Sequence, residues 1–193
     1  MPKNERLARA LQDHVALIRD AVVPQEAILT ALAGRLCEAF QREGRLFICA
    51  SGPMTVVADL TANLFLYRLG FERPALPVIS LCHDATLLYS LSRDGLARQI
   101  FSRQLRPLAA ENDILLLFSD LHPDPALNEA LLTAERIGMT TAAVAPAKIA
   151  LAGEVPPQIF FRLESSSPGR IVETAVVFAH LLCELVEAEL FEH

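Results

Sequence analysis

The feature that most constrains this chain is a series of five short apolar runs, residues 46–50, 77–81, 114–118, 141–145 and 159–163, each separated from the next by a longer stretch. Most of those stretches carry helical periodicity. Runs of this length with no polar alternation are strands buried on both faces, and the alternation with helices predicts a parallel sheet with crossover helices. The helices between strands are predicted at residues 55–69, 85–91, 96–108 and 124–137. A longer helix at residues 168–191 closes the chain.

Two further helices precede the first strand. Leu7, Leu11, Val15, Ile18 and Val22 recur at three- and four-residue intervals on one helical face, which Pro24 ends. Ile28, Leu32, Leu36 and Phe40 mark a second amphipathic helix, expected to stop near Gly44 in the left-handed conformation. The expected architecture is a three-layer α/β/α sandwich with a five-stranded parallel, flavodoxin-like sheet. One domain spans 1–193, with 1–43 as the helical preface and 44–193 as the core. The closing helix is apolar nearly all round, through Val172, Val176 and Val177 as well as Ile171, Phe178, Leu182 and Leu185. A single sheet covers only one side of a helix, so the rest is expected to pack against another subunit with help from the N-terminal helices, making the protein a homo-oligomer.

Composition narrows the function. With 193 residues, 52% of them hydrophobic, the chain buries a core without disulfides or a structural metal. A formal charge of −6, from 23 acidic against 17 basic residues, argues against direct nucleic-acid binding, which draws its affinity from lysine and arginine. Cys37, Cys49, Cys82 and Cys183 are widely spaced inside apolar runs and form no CxxC pair, as expected of core thiols in a reducing compartment. The first 20 residues lack the apolar block of a signal peptide, and the ten-residue run 174–183 is too short to span a bilayer. A cytoplasmic protein with no membrane segment is expected.

Ligands of an open parallel sheet sit beyond the carboxyl ends of the strands. Two loops there stand out, Ala50-Ser51-Gly52-Pro53-Met54-Thr55 and Ser119-Asp120-Leu121-His122-Pro123-Asp124. The first follows Arg45-Leu46-Phe47-Ile48-Cys49. Together with Glu72-Arg73-Pro74-Ala75-Leu76-Pro77, Ile100-Phe101-Ser102-Arg103, Arg170-Ile171-Val172-Glu173 and the ending Leu182-Cys183-Glu184-Leu185, these segments resemble the sugar isomerase (SIS) domain family across essentially the whole chain. The resemblance is to its phosphoheptose isomerase branch and the related DnaA initiator-associating protein.

That resemblance implies a homotetramer with phosphosugar sites near subunit boundaries. It also exposes departures. Pro53 and Met54 stand where the family has a backbone donor and a serine, and of the second loop's phosphate-binding hydroxyls only Ser119 is kept, beside Asp120 and Asp124. Of the proton-transfer pair, His180 matches but the glutamate position holds Leu64. The positions of a metal-binding histidine and glutamine hold Leu60 and Val172, so no metal and no cofactor are expected. His180 is the catalytic candidate; Ser51, Gly52, Ser119, Asp120, Ser167 and Arg170 are the ligand-binding candidates. Asp124 is expected to cap the following helix, and Ser167 to cap the last one ahead of Pro168. Asp59 is expected to face solvent or an arginine, and His83 and His122 to be ordinary loop residues.

By subtraction, the expected function is a non-catalytic binding or regulatory module whose partner is another protein. The alternative is a phosphosugar isomerase of the sedoheptulose 7-phosphate type with a rearranged site, using His180 and Asp59 or an acid from a neighbouring subunit. A third reading is a sensor that binds a neutral or cationic ligand at Asp120 and Asp124.

Overall fold

The computed structural model describes residues 3–146 and 155–192. Helix α1 (Lys3–Val22) passes through a 3₁₀ turn at Val23–Gln25 into α2 (Glu26–Gln41). There follow β1 (Leu46–Ala50), α3 (Thr55–Leu66), β2 (Val78–Ser80), α4 (Ala85–Arg93) and α5 (Ile100–Leu108). The chain ends with β3 (Ile114–Phe118), α6 (Pro125–Ile137), β4 (Thr140–Pro146), β5 (Ile159–Leu163) and α7 (Pro168–Phe191). The five strands pair in parallel in the order β2-β1-β3-β4-β5.

Alternation along the strands divides the core in two. Leu46, Ile48, Ile114, Leu116 and Phe118 face a layer made by α2, α3 and α7. Phe47, Cys49, Leu115 and Leu117 face the opposite layer, which includes α5 and α6. A side-chain period of two on a sheet buried on both faces is why the strands read as unbroken apolar runs. Edge strand β5 is closed by Gln25, whose side chain accepts from the Arg162 amide at 2.7 Å and donates to the Arg162 carbonyl at 2.8 Å. The glutamine thereby stands in for a neighbouring strand on that edge.

One expectation is corrected here. The left-handed residue after α2 is Glu43, at φ 62°, and not Gly44. Gly44 is small for another reason: a Cβ there would lie 2.4 Å from the Asn112 carbonyl oxygen. Helix α7 is packed by α1, α2 and α3, the N-terminal helices taking the part expected of them. An open apolar face remains on α1, where Leu7, Leu11 and Val15 are 63%, 58% and 65% exposed. Among the described residues, no helix is long and apolar enough to cross a membrane.

Candidate functional site

The strand order reverses direction between β1 and β3, since β1 leads out to β2 on one side while β3 and the later strands lie on the other. At the carboxyl ends of such a pair the loops diverge and leave a crevice. Here a cavity of about 400 Å³ opens there, bounded by Ser51 and Thr55 after β1, Cys82 and Asp84 after β2, Arg98 before α5 and Asp124 before α6. Much of the remaining wall is apolar, from Leu81, Leu88, Ile100 and Phe101.

The polar rim is largely engaged by the fold itself. Asp84 accepts from the Leu87 amide at 2.7 Å and caps α4; Asp124 accepts from the Ala126 amide at 2.8 Å and caps α6, as its position predicts. Each helix N-terminus therefore already holds a carboxylate of the chain. The cation on the wall is Arg98, exposed and without an ion pair to any described residue. Nothing in its local sequence marks it; only the turn of the chain from α4 into α5 brings it over the crevice. The Cys82 thiol is pushed up to about 11 by burial, partly offset by hydrogen bonds from Ser80 and Ala50, so it is protonated at neutral pH.

The predicted ligand residues divide into separate places. Ser51 and Gly52 line the cavity, and the Ser51 hydroxyl accepts from the Asp120 amide at 3.2 Å. The Asp120 carboxylate folds back on its own loop, accepting from the His122 amide at 2.8 Å. It packs so closely over Gly52 that a Cβ there would meet it at 2.5 Å. Ser119 is buried, its hydroxyl donates to the Asp120 carbonyl at 3.4 Å, and it does not line the cavity. Ser167 precedes α7 as predicted, but its hydroxyl makes no capping bond; its amide instead donates to the Ser165 hydroxyl oxygen at 3.1 Å. Arg170 turns away to α1, donating to the Ala10 carbonyl at 2.8 Å and to Glu173 at 2.6 Å.

His180 lies on the outer side of α7 in a second hollow, with Gly70, Phe71, Glu184 and Glu192, and is not on the wall of the switch-point cavity. Leu64 is buried, and Leu60 and Val172 pack against the α2–α3–α7 core. Hydrocarbon at Leu60 and Val172 cannot ligate a metal, and Leu64 cannot accept a proton, so the residues present do not fit the metal that the resemblance implies.

The geometry also corrects the reading of Asp59. Its carboxylate faces neither solvent alone nor an arginine: it accepts the Ser80 hydroxyl at 2.7 Å and lies 3.2 Å from Nε2 of His83.

Comparison with known proteins decides the family, since residues 11–145 match the SIS domain model. The chain belongs to the SIS domain family. Its relatives include phosphoheptose isomerases of Trichlorobacter lovleyi, 30% identical over 188 residues covering 96% of this chain and 94% of that one, and of Methylococcus capsulatus, 26% identical over 99% of both. The fold is also that of the solved phosphoheptose isomerase structure from Francisella tularensis, at a TM-score of 0.86 and 20% identity over 96% of this chain and 98% of that one. The expectation of a non-catalytic binding or regulatory module is thereby corrected: SIS relatives alike from end to end are named isomerases. Losing the expected glutamate and hydroxyls at single positions is a narrower observation than similarity over the entire chain.

Proposed function

We propose that this SIS protein is a phosphosugar isomerase of the sedoheptulose 7-phosphate type with a rearranged active site. The reading rests on the near full-length similarity to phosphoheptose isomerases, and the switch-point cavity supports it. Arg98 gives that cavity a planar, permanently charged donor for phosphate, replacing hydroxyls that the second loop lacks. The acids on the rim are tied to helix ends and so compete less for that guanidinium.

Saturable binding tests it. Sedoheptulose 7-phosphate at millimolar concentration is expected to raise the melting temperature, because a ligand of the folded state stabilises it by about 2.7 kcal/mol at a hundred times its Kd. Arg98→Ala is expected to weaken that binding by about 10- to 100-fold, the worth of a charge-assisted hydrogen bond. A wild-type protein whose melting point the sugar phosphate leaves unmoved would contradict the reading.

The same proposal includes a homo-oligomer, a tetramer by family resemblance, assembled through the apolar face of α1. Leu7, Leu11 and Val15 form a stripe that a second copy would cover. Light scattering is expected to give a multiple of the chain mass, and Leu11→Asp to reduce it; a stable wild-type monomer would refute this. The four free cysteines, three of them buried, support a cytoplasmic location.

A further inference from the structure

We propose that His83 is the imidazole that moves the proton in this site, with Asp59 as its positioning residue. This rests on the isomerase reading and names the group that carries its chemistry.

The observation is a convergence of three polar side chains at the carboxyl end of β2, beside the cavity. Asp59 lies one helical turn beyond Thr55, a cavity residue, and reaches across to the strand end. Its Oδ1 accepts the Ser80 hydroxyl at 2.7 Å and stands 3.2 Å from His83 Nε2. Ser80 is in turn fixed by the Cys82 amide, which donates to its hydroxyl at 3.3 Å. His83 sits between Cys82 and Asp84, both on the cavity wall. A carboxylate facing Nε2 fixes the proton of the neutral ring on that nitrogen and leaves the Nδ1 lone pair free to accept another. The His83 ring is exposed and is not itself a lining residue of the cavity, so the sugar's reacting carbons are placed at the β2 end, next to Cys82 and Asp84.

The other ionisable groups near the cavity are less suited. Asp84 and Asp124 cap helices, Cys82 holds its proton, and His180 occupies a different hollow. The ionisable side chain that meets His83 is Asp59 from α3, and Cys82 and Asp84 are its neighbours in sequence.

The step balances without any further reagent. Nδ1 takes the proton from the carbon beside the ketose carbonyl; the C–H pair becomes the carbon–carbon double bond, and the carbonyl π pair moves onto oxygen to give an enediolate. The imidazolium returns the proton to the former carbonyl carbon while the neighbouring hydroxyl proton passes to the other oxygen, giving the aldose.

The test is steady-state kinetics on sedoheptulose 7-phosphate with wild type, His83→Gln, Asp59→Asn, Asp59→Glu and His180→Gln, each checked for an unchanged melting temperature. His83→Gln is expected to lower kcat by about 10²- to 10⁴-fold with little change in KM. Asp59→Asn is expected to lower kcat with little change in KM, because the ring loses the acceptor that orients it; Asp59→Glu should recover part of the loss. His180→Gln is expected to cost less than His83→Gln. A His83→Gln enzyme with wild-type kcat would overturn the proposal while leaving the isomerase reading intact. A wild-type kcat in Asp59→Asn, or no recovery in Asp59→Glu, would overturn the positioning role. A wild type with no turnover would remove the isomerase reading and this inference with it.

Discussion

Glu187→Ala is expected to destabilise the protein by about 3–5 kcal/mol, since it leaves the Arg73 charge buried and unpaired. At about 2–4 °C per kcal/mol for a chain of this size, that is a fall of roughly 6–20 °C in Tm, measurable by calorimetry. The side chains of Arg73 and Glu187 are only 1% and 3% exposed, and they meet at 2.7 Å. Glu187 also accepts from the amides of Leu69 and Gly70 at 2.9 and 3.0 Å. Arg73 donates to the carbonyls of Leu64, Phe65 and Pro74 at 2.8–2.9 Å, so the pair fastens the segment between α3 and β2 onto α7. Burial alone would raise the Glu187 carboxyl, but the two amides and the guanidinium outweigh it and hold the group below its ordinary value of 4.5. The contribution is therefore complete above that value and fades as pH falls through the lower, folded-state value. Glu187→Gln should lose less than the alanine variant, because it keeps an acceptor for the amides. A double change of Arg73 to Met and Glu187 to Leu should cost less than the sum of the two single alanine variants.

Phe178→Ala is the second large effect, expected at about 3–5 kcal/mol by denaturant titration. The ring is fully buried on α7 between Phe161 of β5, at 4.8 Å between centroids, and Phe118 of β3, at 6.1 Å. Its removal opens a void where the helix meets two strands, which the rigid sheet cannot collapse to fill. Phe178→Leu should retain more than half of the stability lost by alanine. A loss below about 1 kcal/mol for the alanine variant would mean that the three rings are not packed as described.

The fold was readable where one physical rule governed a segment. Strands β1 and β3 coincide with their apolar runs because burial on both faces admits nothing else; β5 coincides with its run although Arg162 is exposed, while β2 shortens to Val78–Ser80 and β4 grows by one residue at each end. Asp124 was legible as a cap because cap and helix are adjacent in sequence. What could not be read was any contact made by topology. Arg73 and Glu187 are 114 residues apart, and Asp59 meets Ser80 and His83 only because α3 leads directly into β2. Arg98 carried no local signal at all. The same gap misled the functional reading: subtracting residue types at family positions recorded that Leu64 accepts no proton, but not that an imidazole and a carboxylate meet at the carboxyl end of β2. Arg170 failed as an anion-site residue because α1, distant in sequence, supplies it with a carbonyl.

The most direct measurement is proton NMR of sedoheptulose 7-phosphate incubated with the purified wild-type protein in D2O. Proton transfer beside the carbonyl predicts appearance of the isomeric aldose with deuterium entering at the carbon that exchanges its hydrogen. A ketose spectrum unchanged in both composition and label, with folded protein present throughout, would contradict the account.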